Sequence, residues 1–165
     1  MSYVIRRATS EELASFRAIL NYQLRISIAD LILPDNLLVG VSKNTGRVRA
    51  LLDPESEEIL ATVVAQTHTL NIRLSLAKKL HKLVPPPQLR LVVVNEIVPD
   101  LLEAKSSVFS RHVLSVDDEL RAGDEALVVD ENDELLCIGK LLLSPDEILQ
   151  LLTGPALKIR ECVIR

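Results

Sequence analysis

Three consecutive prolines, Pro85-Pro86-Pro87, stand near the middle of the 165-residue chain. Each lacks a backbone N–H and holds φ near −65°, so neither a helix nor a central strand can run through them. The chain is therefore expected to fold as two pieces joined at Leu83-Val84-Pro85-Pro86-Pro87-Gln88. Charge divides at the same place. Through Pro86 there are 11 Lys/Arg and 8 Asp/Glu, and from Pro87 onward 8 and 15, balances of +3 and −7 that sum to the net −4. A basic half joined to an acidic half implies two units with different surfaces.

The first half opens on a helix. Thr9 with Glu12 three residues on makes a capping box, and Leu13, Phe16, Ile19 and Leu20 form an apolar stripe. Beyond Pro34, LLVGVS and RVRALL flank Lys43-Asn44-Thr45-Gly46, a tight hairpin turn. ILATVVA (59–65) and TLNIRLSL (69–76) read as two more strands, and Ala77–Lys82 as a helical turn before the prolines. This unit is α+β. Lys78, Lys79 and Lys82 read as a solvated helix face, and Tyr22-Gln23 as packing the helix to the sheet.

The second half begins with the strand LRLVVV (89–94), then a short helix Pro99–Ala104 and a strand Val108–Leu114. Ala126–Val129 and Leu135–Leu143 flank the polar tip Asp130–Glu134, an apolar-polar-apolar pattern that predicts a hairpin. Its second strand carries Gly139, and a glycine there marks a bulge, a barrel corner or a close backbone approach. Ser144 with Glu147 caps a helix Pro145–Leu152, Gly154-Pro155 ends it, and ALKIRECVIR alternates as the last strand. Cys137 and Cys162 both fall on strands and read either as buried inert thiols or as a disulfide.

Standard catalytic patterns are missing from the sequence. There is no Gly-x-Gly-x-x-Gly and no Gly-x-x-x-x-Gly-Lys to cradle phosphate. His68, His81 and His112 lack partners at ligand spacing, and the acidic runs do not follow a calcium-loop pattern. The residues thus nominate no catalytic group, no metal site and no cofactor. The apolar runs fall short of the ~20 residues of a membrane span, so a soluble, cytoplasmic protein is expected. Only four aromatics occur, which argues against a platform stacking several bases. Lys43, Arg47 and Arg49 straddle the first hairpin turn. Arg47 and Arg49 share a strand face by the period of two, where they either grip successive phosphates or form a charged edge.

Beyond these readings, the second half resembles a PUA domain, the small pseudo-barrel appended to RNA-modifying enzymes and translation factors. The resemblance is carried by Val108-Phe109, Gly123-Asp124-Glu125, Leu127-Val128-Val129, Ile138-Gly139-Lys140 and Leu143-Ser144-Pro145. Asn21-Tyr22-Gln23, Ser42–Arg49 and Ile59–Thr62 resemble the domain that precedes it in archaeal tRNA-guanine transglycosylase, which acts in the archaeosine pathway. That resemblance implies an α+β chain: an auxiliary α/β-sandwich-like domain (1–84), a Pro-rich linker (85–88) and a PUA pseudo-barrel with short helices (89–165). It implies non-catalytic binding of structured RNA, tRNA first, with a catalytic transglycosylase subunit as possible partner; the transglycosylase barrel with its catalytic aspartates and zinc has no counterpart here. DNA and membranes are not expected partners. A protein-interaction subunit that no longer binds RNA, or a PUA factor in ribosome biogenesis or translation, are the alternatives.

By the same resemblance, Lys105, Arg111 and Lys140 lie in the region that PUA domains turn toward RNA, and His112 could bond a phosphate or ribose. Gly139 would sit where the sheet bends. The family has Tyr-Gln-Phe-Gly where this chain has Tyr22-Gln23-Leu24-Arg25. Many PUA domains carry Pro-Gly where it has Arg111-His112, so a close backbone approach gives way to side-chain contact. Phe109 is expected in the core.

Overall fold

The computed structural model describes residues 3–164 and divides by contacts into two compact units, Met1–Leu76 and Ala77–Arg165. The first is a five-stranded antiparallel meander, β1 (Tyr3–Arg7), β2 (Leu38–Ser42), β3 (Val48–Leu52), β4 (Ile59–Val63) and β5 (Leu70–Ile72), in chain order. Helix α1 (Ser10–Leu24) follows β1, and the single turn α2 (Ala29–Ile32) leads into β2. Thr9 and Glu12 form the expected capping box, and Leu13, Phe16, Leu20 and Leu24 are the buried positions of α1. Gln23 joins the helix to the sheet. Its amide donates to Leu70 O at 3.0 Å and accepts from Leu70 N at 2.6 Å, as a neighbouring strand would. Tyr22 instead stands 85% exposed.

One turn geometry is used three times. Ser42, Asp53 and Val64 each accept from the residue four on (Gly46, Glu57, His68) and donate to the carbonyl of the residue after it (Arg47, Glu58, Thr69), at 2.8–2.9 Å. These positions recur every eleven residues, and the residue closing each turn is left-handed, with φ of 72°, 59° and 56°. Only the first is glycine. A left-handed backbone costs a side-chain-bearing residue about 1 kcal/mol, so Glu57 and His68 are locally unfavourable choices.

Three elements depart from the sequence reading. The strand β1 was not expected; its residues Val4 to Arg7 are exposed, and its place is held by pairing to β2 and by the Arg6–Glu12 ion pair to α1. Residues 74–76, read as strand, begin helix α3 (Leu74–Leu83). Leu74, Leu76, Ala77 and Leu80 are buried there, and a short leucine-rich run has no period that separates strand from helix. Third, Val108–Leu114 is not one strand.

The second unit is a six-stranded sheet in the order β7-β11-β10-β9-β6-β8. Its strands are β6 (Arg90–Val93), β7 (Ser107–Phe109), β8 (Val113–Val116), β9 (Glu125–Val129), β10 (Leu135–Leu141) and β11 (Pro155–Cys162), with helices α4 (Val98–Ala104) and α5 (Pro145–Leu151). All pairs are antiparallel except β6 with β9. β7 and β8 are the two outer strands, yet only the 3-10 turn Ser110–His112 separates them in sequence. A flat sheet cannot place its opposite edges three residues apart. This one curls into a pseudo-barrel, and the turn joins its edges.

Gly139 shows how the curl is accommodated. Ile138 pairs with Glu161 and Gly139 with Ile159, so Arg160 is the extra residue of a bulge in β11. A Cβ on Gly139 would lie 2.4 Å from the carbonyl oxygen of Lys158 and 2.5 Å from Leu157 Cδ2. The glycine is a close-approach residue, as its place in the strand suggested. Arg160 turns its guanidinium onto both oxygens of the buried Glu125 carboxylate. Beside the bulge, Cys137 and Cys162 face each other in register and form a disulfide, Cα to Cα 4.0 Å. Of the two readings of the cysteines, the structure has the bonded one.

The prolines lie in the loop between α3 and β6. Around it, Arg90 is 2% exposed and donates to His81 O (3.0 Å), Val84 O (2.5 Å), Gln88 O (3.1 Å) and the Asp133 carboxylate (3.1 and 3.3 Å). His81 Nε2 bonds Asp133 O at 2.6 Å. Carbonyls at the end of α3, which a helix terminus leaves unpaired, are thus met by a residue beyond the prolines. This explains why residues 77–84 group with the second unit. It also relocates charge: Lys78, Lys79 and Lys82 make up the whole +3 of the residues through Pro86. Residues 1–76 hold 8 basic and 8 acidic groups, and residues 77–165 hold 11 and 15, a balance of −4.

Candidate nucleic-acid interface

The candidate cations fall into two groups, one in each unit. In the first unit, Lys43 is exposed at the tip of the β2–β3 turn, and Arg47 and Arg49 follow at the turn's exit. Successive hairpins of a meander alternate ends, so the β2–β3 and β4–β5 turns project from the same end of the sheet. That places Arg47 and Arg49 with His68 around a cavity of about 260 Å3, whose remaining lining is Phe16, Val48, Val63 and Ala65. Lys43 does not reach it. The sequence showed His68 only as a histidine without a partner at ligand spacing; its position, two hairpins from Arg47, is visible only once the eleven-residue turn repeat is recognised.

In the second unit, α4, β7 and the 3-10 turn surround a cleft of about 190 Å3 lined by Ile97, Asp100, Leu101, Ser107, Phe109, Arg111 and His112 among others. Phe109 is 40% exposed, contrary to the core position expected for it. On a strand, neighbours face opposite sides, and Val108 at 1% exposure takes the buried side. The Arg111 guanidinium lies 5.5 Å from the Phe109 ring centroid, a cation–π distance, and its Nε is 3.4 Å from His112 Nε2. Arg111 and His112 are therefore together, as the sequence suggested, with an aromatic beneath the arginine.

Lys105 is left-handed at the C-cap of α4 (φ 53°) and lines a separate cavity of about 410 Å3 with Val98, Leu102 and Val163. Lys140 lies on β10 opposite Lys158 on β11, and Lys158 is opposite Ser107 on β7, which lines the Phe109 cleft. Residues paired across strands share a face, so the row Lys140–Lys158–Ser107 runs toward the cleft. Lys158 is exposed and was not a sequence candidate. The alternation of ALKIRECVIR put it on the outer face, but the partner strand that aligns it with Lys140 could not be read locally. Like charges directly opposite are mutually unfavourable, and on its other side Lys140 is paired with Glu125 of β9.

Among the described residues no cluster of three or more His, Cys, Asp or Glu is placed to hold a metal ion. No described helix is long and apolar enough to cross a membrane.

Comparison with known proteins agrees with this geometry. Residues 14–87 match the family model described as patch-forming domain C2 of tRNA-guanine transglycosylase, and residues 89–163 match the PUA domain. A tRNA-guanine(15) transglycosylase of Methanobrevibacter smithii is 35% identical over 155 residues, 94% of this chain, and that of Methanocaldococcus jannaschii 39% over 144, or 87%. The chain spans only 23% and 22% of the length of these curated relatives. A hypothetical protein of Pyrococcus horikoshii has the same fold at a TM-score of 0.72 and 18% identity, covering 96% of this chain and 94% of its own. A PUA-domain protein of Thermoplasma acidophilum does so at 0.67 and 16%, covering 96% and 93%. With the curled sheet and the three-turn meander in place, residues 14–87 belong to the patch-forming C2 domains of tRNA-guanine transglycosylase and residues 89–163 to the PUA domains.

Proposed function

We propose that this chain is a non-catalytic RNA-binding protein whose ligand is tRNA, acting as an accessory to a transglycosylase catalytic subunit in tRNA modification of the archaeosine type. One observation carries the reading. On a unit with a net charge of −4, Arg111, His112 and the exposed Phe109 converge on one cleft, and the Lys140–Lys158 row runs toward it. Positive charge held locally on an acidic body serves a local polyanion. Lys105, on the adjoining cavity, and Lys43, Arg47 and Arg49 on the other unit supply further phosphate contacts. Such contacts fix position and carry no base sequence, which suits recognition of A-form shape and ribose hydroxyls. The matched domains are those that the named relatives attach to a tRNA-guanine transglycosylase, and this supports tRNA over other RNA.

The test is a titration of folded tRNA, tRNA lacking its single-stranded 3′ end, and an unrelated RNA duplex, each across a salt series. Preference for intact tRNA persisting near physiological salt is expected. Arg111→Glu should weaken it at least ten-fold and flatten the log–log salt slope by about one, with the melting temperature unchanged. Equal weak binding to all three RNAs, vanishing as salt rises, would overturn the proposal in favour of a protein-interaction subunit.

A further inference from the structure

The cavity of the first unit differs in kind from a phosphate grip. Its wall is apolar, formed by the largely buried Phe16 with Val48, Val63 and Ala65, and no carboxylate lines it. Arg47 and Arg49, two residues apart on one strand, form no ion pair among the described residues. A bare phosphate would be served by backbone N–H groups or hydroxyls in the wall, and this wall has aliphatic and aromatic carbon. The fitting ligand therefore has an apolar flat body and an anionic arm. At about 260 Å3 the cavity is below the ~300 Å3 at which drug-sized sites begin, so it admits one ring system.

Within RNA only an unpaired nucleotide can present this combination, because paired bases are stacked inside the duplex. We propose that this cavity takes one unpaired nucleotide of the bound RNA. The base lies against Phe16 and Val63, its flanking phosphate lies between Arg47 and Arg49, and His68 closes the side. His68 fits that role at a visible cost. It occupies the left-handed position that Gly46 fills in the companion turn, where glycine would be unstrained. The inference rests on the RNA-binding reading and adds to it the part of the RNA that the first unit holds.

Two variants test it without endangering the fold. Ala65→Phe fills the cavity from an exposed position and changes no charge. His68→Gly removes the imidazole and relieves the backbone. With folded tRNA, Ala65→Phe should bind about ten-fold more weakly, the loss of one stacked base, at an unchanged salt slope. Arg47→Gln/Arg49→Gln should instead flatten the slope by one to two. His68→Gly should bind more weakly while melting at a higher temperature. Wild-type affinity in both Ala65→Phe and His68→Gly, with tRNA binding otherwise intact, would overturn the cavity assignment and leave the RNA-binding reading standing. Failure of the unaltered protein to bind any RNA would overturn both.

Discussion

Glu12 is a carboxylate with three donors around it. Arg6 reaches it with two nitrogens at 2.7 and 2.9 Å, and Thr9 N donates at 2.9 Å. Chiefly through the Arg6 bond, its pKa falls from the ordinary 4.5 to about 2. A lowered pKa in the folded state means that Glu12 stabilises fully above pH 4.5 and loses that contribution as pH falls from about 4.5 toward about 2. Glu12→Gln keeps a capping-box side chain and cannot titrate there. Its stability, followed by denaturant unfolding between pH 6 and 2.5, should therefore decline less than that of the unaltered protein. Gly139 makes the opposite case, a position where nothing may be added. Gly139→Ala pushes a methyl against the Lys158 carbonyl oxygen, 2.4 Å away, and should cost about 3 kcal/mol in the same assay. Both residues were legible in the sequence, because capping boxes and mid-strand glycines are local signals. Arg90 was not, since its partners span residues 81 to 133 and nothing near it announces burial.

Among the elements, hairpins and capped helices followed their patterns, and the errors came where pattern is ambiguous. Residues 74–76 offered leucines without a period, and β1 offered five residues with no buried face. The break in Val108–Leu114 has a different origin. Closing the pseudo-barrel requires the chain to leave one edge and join the other, and no local propensity encodes that demand. The disulfide between β10 and β11 fastens the bulged region of this sheet, closing a loop with a sequence separation of 25 residues. A loop of that length is worth about 3 kcal/mol. Guanidinium unfolding with and without reductant should show a lower midpoint when reduced, the shift multiplied by the m value giving that free energy. Cys137→Ala/Cys162→Ala should match the reduced protein and be indifferent to reductant. The candidate site was legible at the same level. Arg47 with Arg49, and Arg111 with His112, are neighbours in sequence, whereas Lys158 and His68 enter only through strand pairing and turn repetition.

For the molecule as a whole, the prolines mark a boundary in composition, and the contacts place it within α3. The difference can be measured. A fragment starting at residue 89 contains the whole PUA match yet deprives Arg90 of the His81 and Val84 carbonyls, leaving a buried guanidinium short of acceptors. A fragment starting at residue 74 retains both. The shorter fragment should be less stable by about 3 kcal/mol, read as a lower denaturation midpoint. Equal midpoints would show that the α3 carbonyls contribute nothing to the second unit.

That arrangement also sets an order of events during synthesis. Chains emerge from the ribosome N-terminus first, and α3 is complete once Leu83 has appeared. Its last carbonyls gain the Arg90 side chain seven residues later, and Arg90 gains its carboxylate partner only when Asp133 follows. The first unit can therefore finish folding while Arg90, already far enough along the chain to cap α3, still lacks the Asp133 carboxylate that balances its charge.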